Sequence, residues 1–185
     1  MNEFKAYSGE FNPDLTPNSF SRELLVELMK LYSKLYLAID GFWYLSVMNK
    51  VDEATATECD IWVWEKQARY EMKRIVSLLD IKDRDIAAFF KCLQFSPWVW
   101  NLEQKMEVKN KNLGIWTIMR CPTLEALEKE GKGRDKYFCK SVEIRIFGAL
   151  ASSFNPSIEF EYLKLPPKKS DNEPCCQWQF KIKHS

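Results

Sequence analysis

Hydrophobic residues in the first half of the chain recur at the spacing of amphipathic helices. Between residues 21 and 50 the apolar positions follow steps of three and four: Leu24, Leu25, Leu28, Leu31, Leu35, Ile39 and Phe42. This apolar face is wide, so the pattern predicts a helix that packs on more than one side. A second helix is predicted over 52–79, and a third that begins at Asp83 or Asp85 and ends at the Ser96-Pro97 step.

After Trp100 the pattern changes to the alternation of apolar and polar residues that is typical of strands. Four short segments show it: 106–108, 113–119, 158–162 and 178–182. Helices are predicted between the two pairs, over 123–130 and 137–154. The order predicts an α+β fold, with a helical N-terminal half followed by ββααββ and a small antiparallel sheet.

The length of 185 residues suits one domain. Residues 1–18 carry Gly9, Pro13 and Pro17 among polar side chains, so we expect an N-terminal arm followed by a single domain over 19–185. The first 15 residues have no apolar segment of the signal-peptide kind. The sequence therefore predicts a cytoplasmic protein whose six cysteines are thiols.

Charge and aromatic content restrict the classes of partner. The chain has 27 basic and 26 acidic residues, so no basic field favours nucleic acid or a membrane surface. Aromatic residues make up 14% of the chain, with seven Trp and twelve Phe. Such a surplus is typical either of an aromatic-rich core or of a pocket for a small ligand.

Two aspartates lie within apolar stretches of the predicted helices. Asp40 is next to Gly41 on the first helix, and Asp60 precedes Trp62, Val63 and Trp64 on the second. If the two helices pack antiparallel, the two carboxyl groups come close or share a partner. A buried carboxyl group needs a partner or its pKa rises, so the pair indicates either a pocket with a Trp wall or a structural hydrogen bond.

A second candidate site consists of cysteines. Cys121, Cys139 and Cys176 flank predicted strands and a helix, and Glu161 lies on the third strand. Three thiolates and a carboxylate would suit tetrahedral zinc, although the chain has no CxxC pair. Buried free thiols are the alternative. The only histidine, His184, is next to the C-terminal residue, so a Cys-His or Ser-His-Asp arrangement is not expected.

A series of short motifs resembles an uncharacterised prokaryotic domain family. In order they are Asp40-Gly41-Phe42-Trp43, Asp60-Ile61-Trp62-Val63-Trp64, Pro97-Trp98, Arg120-Cys121-Pro122, Pro166-Pro167 and Cys176-Gln177-Trp178-Gln179-Phe180. The relatives of that family include proteins described as L-2-amino-thiazoline-4-carboxylic acid hydrolases. The resemblance covers about residues 20–183 and depends on the order and spacing of the motifs.

More distantly, the element order and the closing Cys-x-Trp-x-Phe strand are similar to vinyl-reductase-type ligand-binding domains, whose fold is the NO-signalling/Golgi-transport type. In that type a Cys/Glu zinc site lies beside a hydrophobic pocket. Glu161 and Cys176 match the end of the pattern, whereas Lys164 stands where a further cysteine is expected. The resemblance therefore implies a hydrophobic ligand pocket, with zinc as its candidate cofactor.

Three functions are consistent with these features. The first is a domain that binds a hydrophobic or aromatic small molecule, in which Asp40 and Asp60 meet its polar group and the walls are Trp43, Trp64, Trp98 and Trp116. The second is a hydrolase of small cyclic amides or thiazolines, with Asp40 or Glu161 as base and Cys121 or a metal-bound water as nucleophile. The third is a non-catalytic protein whose aromatic surplus forms a homodimer interface.

Overall fold

The computed structural model describes residues 3–170 and 172–183. Three helices form the N-terminal half: α1 Arg22–Lys50, α2 Glu53–Leu78 and α3 Ile86–Gln94. Each begins at a side-chain cap of the expected kind, because Ser21, Asp52 and Asp85 accept hydrogen bonds from the backbone three residues on.

The C-terminal half contains all four strands of the described chain. They are β1 Glu103–Asn110, β2 Leu113–Arg120, β3 Ile158–Lys164 and β4 Cys176–Ile182. Helix α4 (Pro122–Glu130) follows β2 and ends at Gly131 in the left-handed conformation. A π-helical turn, Cys139–Glu143, leads directly into α5, Ile144–Phe154. The described chain also contains three short 3-10 turns: Pro17–Ser19, Pro97–Asn101 and Arg134–Lys136.

The strands form one antiparallel sheet in the order β1-β2-β4-β3. The predicted α+β class, with a helical N-terminal half and a small antiparallel sheet, is confirmed. The sequence did not indicate that β2 and β4 would pair at the centre, where Trp116 lies opposite Trp178. This pairing brings the end of the chain against the first hairpin, so Cys121, just after β2, and Cys176, at the start of β4, lie at the same end of the sheet.

One face of the sheet carries the core. Trp116, Trp178 and Phe180 are fully buried there, and Phe147 of α5 packs on all three, with ring centroids 5.4, 4.6 and 6.2 Å away. Helix α5 therefore lies between the sheet and the α1–α2 pair, and it also contacts α2 extensively. The space between α1, α2 and the N-terminal end of α5 is lined by both carboxyl and apolar side chains.

Helices α1 and α2 form an antiparallel hairpin. Polar contacts as well as apolar ones join them, including Tyr44 Oη to Thr57 Oγ1 at 3.0 Å. The Pro97–Asn101 turn docks on α1 through Asn101, whose Nδ2 donates to the Ser33 carbonyl at 3.1 Å. This contact holds Trp98 against the interior of the hairpin. Among the described residues, no helix has the combined length and apolar character needed to cross a bilayer.

The N-terminal arm runs along the surface. A short parallel bridge joins Phe4 to Phe20, with Phe4 N donating to the Ser19 carbonyl at 2.8 Å and Ser21 N donating to the Phe4 carbonyl at 2.9 Å. Most of its side chains are exposed, Phe11 to 84%.

Candidate functional site

Asp40 of α1 and Asp60 of α2 meet in the interior of the hairpin. Asp60 is only 3% exposed. Trp64, one turn further along α2, donates its indole Nε1–H to Asp40 Oδ1 at 3.0 Å. The antiparallel packing that would bring the two carboxyl groups together is therefore present, and both interact with the same indole.

The two carboxyl groups hold a proton near neutral pH. Burial, followed by the charges of Asp40 and Glu143, raises the pKa of Asp60 to about 8. Burial also raises the pKa of Asp40, although the Trp64 indole and the Asp60 carboxyl oppose this by hydrogen bonding. A protonated Asp60 can donate to the Asp40 carboxylate, so the pair shares its proton.

A third carboxyl group, that of Glu143, faces the same space. It lies at the junction of the π-helical turn and α5. Burial raises its pKa to about 7, and the charge of Asp40 contributes. The three carboxyls line an interior cavity of about 60 Å³ whose other walls include Trp64, Trp98 and Phe138.

A second small cavity, of about 40 Å³, continues from the first. Leu37, Trp98, Thr123 and Glu143 border both. The far wall of the second cavity carries four thiols: Cys121, Cys139, Cys175 and Cys176. The interior space therefore has a carboxyl end and a thiol end, with Glu143 between them.

The thiols are neutral groups in this setting. Burial raises the pKa of Cys121 to about 11, and the nearby Glu143 charge contributes. Burial, followed by the charge of Glu143, raises the pKa of Cys139 well above the usual range. Burial is also the main cause of the raised pKa of Cys176, and the charge of Glu143 contributes. A protonated thiol is a poor nucleophile and a poor metal ligand.

We expect Cys121 to react at least about 100-fold more slowly with N-ethylmaleimide at pH 7 in the folded protein than in guanidinium. A rise in the thiol pKa of two units lowers the thiolate fraction by that factor, and burial slows access further. Peptide mapping by mass spectrometry would measure the labelling of each cysteine. Labelling of Cys121 at the unfolded rate would show instead that it is an activated thiol.

The structure separates the proposed zinc ligands. Cys121, Cys139 and Cys176 share the second cavity, but Glu161 lies on the exposed part of β3, where its Oε1 accepts from Gln179 Nε2 at 2.6 Å. Within the described residues, no group of three or more His, Cys, Asp or Glu side chains is placed to hold a metal ion. The remote Glu161 therefore does not join the three cysteines as a fourth ligand, and His184 lies outside the described residues.

A surface groove of about 290 Å³ leads toward the carboxyl pair. Its walls are Tyr36, Ile39, Trp43, Val63 and Gln67, and Asp40 and Trp64 form its floor. The same two residues also line the inner cavity. The hydrogen bond between Trp64 and Asp40 therefore lies at the boundary between the groove and the interior.

A fourth carboxyl group, that of Glu71, lies two turns beyond Trp64 on α2 and is buried like Asp60. It is 6% exposed, and only its Oε2 has a hydrogen bond, from Gln67 Nε2 at 3.3 Å. Burial raises its pKa, partly offset by interactions with Ser96, Gln67 and Trp98. Among the described residues, no Lys or Arg forms an ion pair with any of these carboxyl groups: Asp40, Asp60, Glu71 and Glu143.

Most of the residues predicted to bind a ligand border this space. Asp40, Asp60, Trp64 and Trp98 line the inner cavity, and Trp43 lines the groove. Trp116 instead belongs to the core, where it is fully buried and its Nε1 donates to Gln104 Oε1. Glu143 was not predicted, although an acid within the apolar stripe of Phe138, Val142 and Ile146 resembles the signal that identified Asp40.

The fold and this space define an α+β protein with an interior cavity lined by carboxyl and thiol groups. The chain belongs to the family of unknown function DUF6125, whose family model matches residues 18–182. Neither the curated proteins nor the solved structures compared with the chain include a match. The membership agrees with the predicted uncharacterised family, while the resemblance to thiazoline hydrolases and vinyl-reductase-type domains stays a prediction.

Proposed function

We propose that this protein binds a small organic molecule with an apolar or aromatic body and a protonated amine. The observation that carries the proposal is a cluster of buried and partly buried carboxyl groups without a cationic partner among the described residues, at the base of an aromatic groove. Buried carboxylates are ordinarily paired with a cation. Here a ligand would supply it.

The groove suits the body of such a ligand. Its volume of about 290 Å³ is close to the lower end of the range for small-molecule sites, about 300–1,000 Å³. Trp43, Tyr36 and Trp64 offer ring surfaces for stacking and for cation–π contact. Asp40 forms the floor, so an amine that entered the groove would reach its carboxylate first.

An ammonium group at Asp40 would also change the protonation of Asp60. The pKa of Asp60 is raised to about 8 by burial and then by the charge of Asp40, so neutralising that charge lowers it. Binding near pH 7 would therefore release up to about one proton. This release distinguishes an amine from a neutral ligand of the same shape.

The test is isothermal titration calorimetry with 2-phenylethylamine and tryptamine, against the neutral alcohols of matching shape. We expect the amines to bind at least tenfold more tightly, with a heat that depends on the ionisation enthalpy of the buffer. Asp40→Asn keeps the shape and the acceptor for Trp64, and we expect it to weaken amine binding by about 10- to 100-fold. Glu161→Gln, which removes an exposed carboxylate from β3, is the matched control.

Two results would contradict the proposal. One is equal affinity for the amines and the alcohols. The other is amine binding that Asp40→Asn leaves unchanged, because the ligand would then lie elsewhere on the chain.

A hydrolase of small cyclic amides or thiazolines is the second candidate, and the Asp40–Asp60 pair favours it. Two carboxyls that share a proton near pH 7 can act as general base and general acid on either side of an attacking water. Because the pKa of Cys121 is raised to about 11, this thiol is protonated near pH 7 and is not favoured as the nucleophile. Hydrolysis of 2-amino-thiazoline-4-carboxylate that Asp40→Asn abolishes and Cys121→Ser preserves would support this function over simple binding.

A further inference from the structure

Helix α1 carries an apolar face that points away from the rest of the chain. Its most exposed members are Tyr32 at 62%, Leu35 at 52%, Ile39 at 69% and Phe42 at 73%. Between Leu35 and Asn49 the only charged residue is Asp40, which lines the interior cavity. The outward face of this part of the helix therefore has no charged side chain.

Five residues of this face, which we call the α1 seam, have the spacing of a helix–helix interface. Leu28, Tyr32, Leu35, Ile39 and Phe42 are separated by four, three, four and three residues. This alternation is the heptad spacing at which two helices pack side by side along their length. The described chain uses the opposite side of α1, with Ser33 and Tyr44, for its own packing.

The apolar patch extends onto α2. Trp43 is 43% exposed, and Val63 of α2, which borders the same groove as Ile39, is 38% exposed. The exposed parts of Tyr32, Phe42 and Trp43, together with those of Leu35, Ile39 and Val63, amount to on the order of 600 Å². The largest apolar patch of a typical monomer is about 300–600 Å², so this surface lies at the upper end of what an isolated chain usually exposes.

The solvent-accessible area of the chain is larger than that of a compact monomer of the same mass, as expected if an interface is exposed. The accessible area is 11,869 Å². A compact monomer of 21.9 kDa would expose about 9,300 Å². The N-terminal arm accounts for part of the excess of roughly 2,500 Å², and a standard interface needs about 800 Å² from each partner.

We propose that this protein is a homodimer in which the α1 seam of one copy packs on the α1 seam of the other. A second copy is the partner that fits, because a seam of one amino-acid pattern is self-complementary about a twofold axis. Neither α1 seam carries a charge that would have to be matched across the interface. The proposal does not depend on the amine ligand.

The dimer would also complete the groove. Ile39 belongs both to the seam and to the groove wall, and Trp43 and Val63 border the groove beside it. A partner helix on the seam would lie along the open side of the groove and supply apolar side chains there. The groove, which is open in the single chain, would then be partly enclosed.

The test is light scattering coupled to size exclusion, on the full chain without ligand, from about 1 to 100 µM. We expect twice the mass of the 21.9 kDa chain. Ile39→Glu and Phe42→Glu each place a charge in the seam, and we expect each to raise the dissociation constant at least 100-fold. Leu78→Glu is the matched control, since Leu78 is 83% exposed at the far end of α2, about 20 Å along the helix from Val63.

Single-chain mass for the wild type at 100 µM would overturn the proposal. Retention of the double mass by a folded Ile39→Glu variant would do the same, because the interface would then lie elsewhere. Circular dichroism checks folding, and Ile39→Ser, which adds no charge, provides a milder variant if the glutamate variants unfold. Light scattering without ligand reports only the mass of the protein, and calorimetry on the wild type measures amine binding separately.

Discussion

The free energy of unfolding is expected to fall as the pH rises from 5 to 8, contrary to the usual behaviour of proteins rich in paired carboxylates. Asp60 has a pKa of about 8 in the folded chain, against an ordinary value of 3.8, because of burial and then the charges of Asp40 and Glu143. Burial likewise raises the pKa of Glu143 to about 7 from 4.5. The folded state thus binds more protons than the unfolded state between these values.

The sign follows from proton linkage. Where the folded state holds the extra proton, stability decreases with rising pH, by up to about 1.4 kcal/mol per pH unit for each proton. The stabilisation is fully present below the unfolded pKa values and is lost as the pH passes about 7 for Glu143 and about 8 for Asp60. Between pH 5 and pH 8 the two groups together correspond to a loss of up to about 6 kcal/mol, and the coupling of Asp60 to Asp40 spreads the part due to Asp60 over a wider pH range.

Urea denaturation followed by circular dichroism at pH 5, 6, 7 and 8 measures the effect. In Asp60→Asn the amide is a hydrogen-bond donor toward Asp40 at every pH, so residue 60 no longer titrates. We expect the fall of the free energy of unfolding with pH to be about half as steep in this variant, with the contribution of Glu143 remaining. Glu161→Gln changes an exposed carboxyl group and should leave the slope as in the wild type. A wild-type stability that is flat or rises from pH 5 to pH 8 would show that these carboxyl groups stay ionised in the fold.

The same linkage connects stability with the proposed ligand. Near pH 8 the interior holds charged carboxyl groups that no described cation neutralises. A bound amine would therefore stabilise the folded state most at this pH. At pH 5 the protons already neutralise part of the cluster, so an amine must displace them. Affinity for an amine should therefore be weaker at pH 5 than at pH 8.

Local patterns predicted the elements of this fold well because each element carries its own signal. Asp52 and Asp85, both predicted as helix starts, are the caps of the second and third helices, and the alternating segments became the four strands. The first helix begins at a cap that was not predicted, Ser21. The pairing of β2 with β4 is a long-range contact between segments about 60 residues apart, and no local pattern encodes it. The π-helical turn before α5 could not be predicted from the sequence either, because its side chains follow an ordinary helical spacing.

The candidate site was predicted in part for a similar reason. Asp40 and Asp60 stand out because each interrupts an apolar stretch, and antiparallel packing of adjacent helices is the simplest way to bring them together. Glu143 reaches the same space only through the packing of α5 on α2, which depends on the whole fold. The cysteines converge through the β2–β4 pairing, whereas Glu161 lies on an exposed part of β3 away from them.

Gly114→Ala is expected to destabilise the fold by about 1–3 kcal/mol, because β2 passes close under α3 at this residue. A Cβ atom at Gly114 would lie 2.5 Å from Ile86 Cγ2 and 2.7 Å from Phe90 Cε2. Ile86 and Phe90 are themselves buried, at 0% and 3% exposure, so neither can move aside into solvent. Overpacking of a rigid core costs that range of free energy.

Gly148→Ala is the control for the same chemical change without the clash. A Cβ at Gly148, within α5, would meet the Phe160 ring at 3.6 Å, which is ordinary van der Waals contact. Alanine is favoured over glycine in a helix interior by about 1 kcal/mol, so we expect this variant to be as stable as the wild type or up to about 1 kcal/mol more stable. Urea denaturation at pH 6 compares the two, and a Gly114→Ala variant no less stable than Gly148→Ala would mean that α3 does not pack on β2 as closely as described.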